Sequence, residues 1–343
     1  MSIDIFATRT MLAAIAQMTP ARTFLLSTFF PGFKQFASKH VDIDIIKGKR
    51  RLAPFVSPVV EGKVMDKRGY TTRSYTPPYI KPKFASGAQE ILNRAAGEIV
   101  YVSGQSAAER AASKLGEELA ELDETITRRE EWMAAQALIN GSVNVVGDGI
   151  NDVIDFGRAA DHAVTLTGNA LWTDALGDPL KNLREWRRKI IQDSGVSPDT
   201  AVFGAGVIDA FLASGKLDTA LDNRRVDLGA IDPQLLPDGV TYYGYIKDVG
   251  LDIYGYDEWY LDDAGDEQPM MPVNKVLIGS SRSRNAKLYG MIQDLDAGAD
   301  YAVPRFPKSW TRKDPSVRFV MLQSAPLVAL LQPDSTMCCQ VIG

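Results

Sequence analysis

Between Ser106 and Asn140 the chain carries one long amphipathic pattern, SAAERAASKLGEELAELDETITRREEWMAAQALIN. Leu115, Leu119, Leu122, Ile126 and Met133 recur at helical spacing, and the rest is mostly Glu, Arg, Lys and Ala. That spacing places the apolar side chains on one stripe of an α-helix. Ser106 and Glu109 form a capping box, and Asn140-Gly141 is a stop. At 1.5 Å per residue the helix is about 50 Å long. A helix of this length with one narrow stripe is a coiled-coil strand or a spine against which a sheet packs. The strand-rich remainder favours the spine.

Ahead of the helix lies PFVSPVVEGKVMDKRGYTTRSYTPPYIKPKF, from Pro54 to Phe84, with no His, Cys or Asn. It reads as two β arms meeting at Asp66-Lys67-Arg68-Gly69. Each arm of about fifteen residues would reach roughly 45–50 Å. An isolated two-stranded ribbon is marginal in water, so something must cover this one. By composition alone, a hairpin folded back on its own domain is the simpler alternative. The first fifty residues look like an arm. The helical stretch Thr8 to Met18 and the patch Phe24 to Phe36, broken at Pro31-Gly32, are too short to fold alone. They must lie on something else.

After the spine, SVNVVGDGINDVIDFG reads as a hairpin turning at Gly147-Asp148-Gly149. Asp178-Pro179 opens a helix through Asp193, with Leu180, Leu183, Trp186 and Ile190 inward and Gly195 as its stop. Strands are expected at Thr200 to Phe203, Thr241 to Ile246, Leu251 to Tyr260 and Lys275 to Gly279, with a short helix at Val207 to Ala213. Pro326 and Pro333 mark edge or bent strands near the end. There is no βαβ rhythm, and the class is α+β.

A length of 343 residues sets a prior of about two domains. The net charge of −5 excludes a polycation built to grip nucleic acid. Cys338 and Cys339 are adjacent and would face opposite sides of a strand, so free thiols are expected. No apolar run approaches a membrane span, and no cationic start precedes a secretory segment.

The residues with the look of chemistry fail their context. Val146-Gly147-Asp148-Gly149-Ile150-Asn151-Asp152 matches the GDGxND motif of haloacid-dehalogenase-like phosphohydrolases. With Asp42 and Asp44, Asp148 and Asp152 would hold Mg²⁺ and attack a phosphate. That reaction needs an apolar strand before Asp42 and a Thr after Asp44, where Ile46 stands. Gly204-Ala205-Gly206 is a tight strand-to-helix turn rather than a dinucleotide site. His40 and His162 have no metal-ligand spacing. No catalytic residue, metal ligand or cofactor site is expected.

Two blocks carry a resemblance. Ala53-Pro54-Phe55-Val56-Ser57-Pro58-Val59-Val60-Glu61-Gly62 with Tyr75-Thr76-Pro77-Pro78-Tyr79-Ile80-Lys81-Pro82-Lys83 resembles the major capsid proteins of lambda-like tailed phages. So do Pro307-Lys308-Ser309-Trp310, Asp314-Pro315 and Gln323-Ser324-Ala325-Pro326-Leu327 near the other end. The resemblance implies the HK97-type phage capsid fold: N-terminal arm, extended β-hairpin loop, long spine helix, peripheral and axial domains. It places the arm at 1–52, the extended loop at 53–83 and the peripheral domain at 84–173, with the spine at 106–140. The axial domain follows at 174–277, and 278–343 returns to the peripheral domain.

The function so implied is self-assembly into hexamers and pentamers of an icosahedral head around double-stranded DNA. The loop would find its cover on an adjacent subunit through Val56, Val60, Val64, Lys67, Arg68, Tyr70, Arg73, Tyr75, Tyr79 and Lys81. No room for a fused scaffolding domain precedes the loop, which implies a separate scaffolding protein. A portal, a decoration protein and non-specific contact with packaged DNA are the other partners implied, with assembly in the host cytoplasm. No lysine–asparagine crosslink is expected from Lys63, Lys67 or Lys81. Two other readings stay open at this point: the Mg²⁺ phosphohydrolase, and a cellular nanocompartment shell of the same fold.

Overall fold

The spine helix, Ala107–Asn140, spans two cores. In its first half Leu115, Leu119, Leu122 and Ile126 are buried against Met11, Val320 and Leu322. In its second half Met133, Ala134, Ala137 and Leu138 join a larger core. Each buried Leu or Ile stabilises the packing by about 2 kcal/mol, so the stripe ties the helix to both. A computed structural model describes residues 4–18, 21–46, 52–65, 70–87, 107–214, 233–297 and 302–343. Ser106, half of the expected capping box, lies outside them.

The first half of the spine carries a three-stranded antiparallel sheet, ordered Phe306–Arg312, Val317–Gln323, Lys83–Gly87. The helix Thr8–Gln17 lies here and buries Met11. The helix Leu25–Phe29 lies against the second half and buries Leu25, Leu26 and Phe29 in the larger core. Gly32–Gln35 then pairs in parallel with Ala286–Tyr289, which pairs with Pro326–Ala329. Pro326 thus sits on an edge strand, where its missing N–H costs no ladder bond. The early segments that could not fold alone lie on the chain's own spine.

A seven-stranded mixed sheet forms the second body of structure. Its order is Ala163–Thr165, Met337–Gln340, Lys275–Gly279, Thr200–Phe203, Leu251–Tyr256, Val240–Ile246, Gln234–Leu235. Side chains alternate across it. Ala201, Phe203, Val276, Ile278 and Cys339 face one core, and Val202, Leu277 and Cys338 face the other. Both thiols are free and buried, and burial pushes Cys338 up to about 11. Against the first face lies the helix Pro179–Ser194, with Leu183 and Ile190 buried. Asp178 accepts a hydrogen bond from the Lys181 amide at 3.0 Å, and Gly195 closes the helix at φ 73°. The last strand, Met337–Gln340, therefore enters a different sheet from Val317–Gln323.

Two local expectations need correction. The strand Leu251 to Tyr260 breaks after Tyr256, and Trp259–Leu261 forms a separate hairpin with Glu267–Pro269. The extended loop is a β-hairpin, but its ascending strand lies earlier than expected. Tyr70–Tyr75 pairs antiparallel with Val41–Ile46, in register from Val41↔Tyr75 to Ile46↔Tyr70. Leu52–Met65 forms no strand. The reason is visible in the side chains. Val41, Ile43 and Ile45 alternate with Asp42 and Asp44 and bury one face in the larger core. Pro54 and Pro58 cannot donate to a ladder.

Candidate functional site

The loop at the tip of this hairpin is pinned at its base. Arg73 Nη1 lies 2.6 Å from the Asp155 carbonyl oxygen and 3.3 Å from its carboxylate. The Tyr75 hydroxyl donates to the same carbonyl, and its ring lies 5.9 Å from Phe156. The Tyr79 hydroxyl donates to Gln323 Oε1, and Ile80 and Ser324 exchange backbone hydrogen bonds at 2.9 Å. Arg73, Tyr75 and Tyr79 thus spend their polar groups within the chain. Lys81 is exposed.

Beyond the base the apolar side chains among the described residues have no cover. Leu52 is 93%, Phe55 107%, Val59 92% and Val64 94% exposed, and Val56 and Val60 are exposed too. Lys67 and Arg68 lie outside the described residues, as does the side chain of Tyr70. An uncovered apolar run of this kind marks a contact surface or an aggregation liability.

The phosphohydrolase constellation does not form. Asp148 is exposed on the turn between Ser142–Gly147 and Ile150–Asp155, with Gly149 at φ 77°. The segment after the motif is a strand, where that chemistry needs a helix. Asp42 and Asp44 point to the exposed face of their strand, and Asp44 accepts from Thr72 Oγ1 at 2.6 Å. Among the described residues none of these four carboxylates belongs to a group of three potential metal ligands. Gly204 is the tight turn expected of it: a Cβ there would come 2.1 Å from the Pro272 carbonyl oxygen.

Tertiary structure assembles charged clusters that sequence spacing did not reveal. Asp161, His162 and Asp193 converge within 4.8 Å. Lys189 already fills the cationic place between them, 2.7 Å from Asp193 and bonded to Asp161. Its ammonium holds both carboxylates below their ordinary range. His162 is buried, with Nε2 3.1 Å from Asp193 and Nδ1 3.0 Å from the Thr336 carbonyl. This is an ion-pair network that ties the seven-stranded sheet to its helix.

Arg305 makes a second network, 2.6 Å from both Asp123 and Glu130 on the spine, with Thr127 Oγ1 at 3.1 Å. Glu131 makes a third, on the backbone amides of the Leu25–Phe29 helix. The helical stripe predicts where the spine's apolar residues go. It gives no sign that Glu130 and Glu131 are buried, because their partners are far away in sequence.

The comparisons with known proteins place these clusters in a capsid-protein family. The model of the family described as phage major capsid protein E matches residues 7–341. A prophage-derived major head protein of Escherichia coli O6:H1 is 30% identical over 352 residues, covering 99% of this chain and all of that one. The major capsid protein of Escherichia phage lambda is 28% identical over 351 residues with the same coverage. A crystal structure of a prophage capsid protein from Escherichia coli superposes with a TM-score of 0.73 at 18% identity. It covers 97% of this chain and 98% of that one. That likeness fixes the fold as HK97-type, and the family match extends over nearly the whole sequence: the chain belongs to the phage major capsid protein E family.

Proposed function

We propose that this chain assembles, as hexamers and pentamers, into the icosahedral head of a phage that encloses double-stranded DNA. It acts by self-association and carries out no catalysis. The observation that carries this reading is the loop: apolar from Leu52 to Val64, uncovered, and held out on a pinned base. A monomer gains nothing from that arrangement, whereas a ring of identical subunits covers each loop with its neighbour. One pair of patches, used heterologously around a ring, closes the ring. Interfaces of obligate assemblies run to several thousand Å², and an outstretched loop reaches more area than a compact face does.

In this reading 1–52 is the arm, of which Val41–Ile46 supplies the ascending strand of the inter-subunit loop at 53–83; 84–173 and 278–343 are the peripheral domain, apart from Met337–Gln340 in the seven-stranded sheet, and 174–277 is the axial domain. The contact residues are Val56, Val60, Val64, Lys67, Arg68, Tyr70 and Lys81, while Arg73, Tyr75 and Tyr79, expected among them, anchor the base of the loop within the chain. A scaffolding protein, a portal and a decoration protein are its partners, and assembly takes place in the host cytoplasm. Contact with the packaged DNA is non-specific and weakens with salt.

The test is to express the chain with its scaffolding protein and image the product by negative stain. Wild type is expected to form closed shells of uniform size. Val56→Ser, Val60→Ser and Val64→Ser together are expected to abolish them while the unassembled chain keeps its urea transition. Shells that form as well from the triple variant would refute the loop's role.

A further inference from the structure

The Tyr256 hydroxyl lies between two carboxyl groups, 3.0 Å from Glu131 Oε1 and 2.5 Å from Glu258 Oε2. A hydroxyl has one proton to donate, and an ionised carboxylate has none. Two ionised carboxylates would leave one of these contacts as bare oxygen against oxygen, with like charges meeting on one hydroxyl. Tyr256 does not relieve this by ionising, because burial and the two carboxyls push its pKa far up. No cation relieves it either. Among the described residues no ion pair, from Arg22 or any other cation, reaches Glu131 or Glu258. On the spine Arg129 is taken by Asp263 at 2.9 Å, and Glu130 by Arg305 at 2.6 Å. The helix Leu25–Phe29 has no ionisable side chain, and the strand Val240–Ile246 brings only tyrosines. Asp252 accepts from Tyr242 at 2.9 Å, and Asp257 from the Trp259 indole at 2.9 Å.

We propose that Glu131, Tyr256 and Glu258 form a proton-operated latch, in which one proton shared by the two carboxyls holds the Leu25–Phe29 helix and the end of the Leu251–Tyr256 strand to the spine. With that proton in place the hydroxyl donates to one carboxyl and accepts from the other, so both contacts carry a hydrogen. Without it two carboxylates repel across a single hydroxyl. Burial holds Glu131 above the ordinary carboxylate range, and the charge of Glu258 adds to this. The folded chain therefore binds the shared proton more tightly than the unfolded chain does. The latch is closed below the ordinary carboxylate pKa and opens as pH rises through the raised value. Opening weakens the hold on the early part of the chain, because Glu131 carries the amides of Phe24, Leu25 and Leu26. The latch lies within one chain, so it stands or falls apart from the shell reading.

Glu258→Gln tests it on the full, unassembled chain. The new amide donates to the Tyr256 hydroxyl as the carboxylic acid would, at every pH, and the half-buried position tolerates the exchange. Hydrogen exchange at the Leu25 and Leu26 amides is expected to match between wild type and variant at low pH. As pH rises through the raised carboxyl value, protection in wild type is expected to fall at least tenfold below that in the variant. Glu258→Ala removes the second carboxylate outright and is expected to flatten the pH profile in the same way. Infrared spectra taken just above the ordinary carboxylate range, where exposed carboxyls are ionised, are expected to show one acid carbonyl band in wild type that Glu258→Gln lacks. Exchange profiles that run parallel in wild type and Glu258→Gln, or an infrared difference without that band, would overturn the latch.

Discussion

Glu131 Oε1 lies 2.7 Å from the backbone nitrogen of Leu25, across 106 residues of sequence. The same oxygen accepts from the Phe24 amide at 3.1 Å and the Tyr256 hydroxyl at 3.0 Å, and Oε2 accepts from the Leu26 amide at 2.9 Å. The first turn of the Leu25–Phe29 helix has no side-chain cap of its own. A carboxylate from the spine takes that place, satisfying amides that would otherwise be left without a partner. It fastens the early part of the chain to the spine.

Glu131→Ala is therefore expected to lower the stability of the unassembled chain by about 3 kcal/mol, since buried amides lose their acceptor. Glu131→Gln keeps an oxygen in place and is expected to cost less. Urea midpoints for the two variants check the order.

Glu131 also gives a pH dependence with a definite sign. Burial raises its pKa above the ordinary carboxylate value, against the opposing effect of its hydrogen bonds. The folded chain then holds this proton more tightly than the unfolded chain. The stability it contributes is complete below the ordinary carboxylate pKa and falls as pH rises through the raised value. The difference between wild type and Glu131→Gln, measured by urea titration at a series of pH values, is expected to shrink over that window.

Arg305 answers two carboxylates of the spine, Asp123 and Glu130, and is mostly buried. Removing one partner of a buried ion network leaves charge without compensation, at a cost of about 3–5 kcal/mol. Arg305→Ala is expected to fall in that range. Arg305→Lys is expected to recover only part of it, because one ammonium does not reproduce the fork that spans both acids.

Two glycines separate backbone crowding from loop freedom. Gly204→Ala drives a Cβ against the Pro272 carbonyl and is expected to cost 2 kcal/mol or more, in the manner of overpacking. Gly62 has open space where a Cβ would stand. Gly62→Ala is expected to change the urea midpoint of the unassembled chain by less than about 0.5 kcal/mol equivalent.

Purified shells are expected to run as a single monomer band on a denaturing gel. Lys63, Lys67 and Lys81 supply amines on the loop, but the sequence shows no acid positioned to catalyse an isopeptide bond. A ladder of covalent oligomers from unmodified wild type would contradict this.

Local pattern carried much of the architecture. The stripe of Leu115, Leu119, Leu122 and Ile126 announced the spine, Asp178-Pro179 and Gly195 bounded a helix, and Gly147-Asp148-Gly149 announced a hairpin. Each rests on interactions within a few residues, where side-chain direction follows directly from backbone period. Alternation also placed Cys338 and Cys339 on opposite faces. It could not say that the faces belong to two separate cores.

What tertiary structure decided was the choice of partners. Tyr70–Tyr75 pairs with Val41–Ile46 rather than with the arm expected from Pro54, because Val41, Ile43 and Ile45 bury a face that the proline-bearing Leu52–Met65 segment cannot offer. Glu131 is written into the spine like any solvated glutamate. It becomes a buried cap only when the Leu25–Phe29 helix and Tyr256 close over it. His162 and Asp193 meet in the same way. Periodicity fixes local conformation because neighbours in sequence share a backbone. Pairing and burial are settled by the sum of apolar area removed from water over the whole fold, and no short stretch contains that sum.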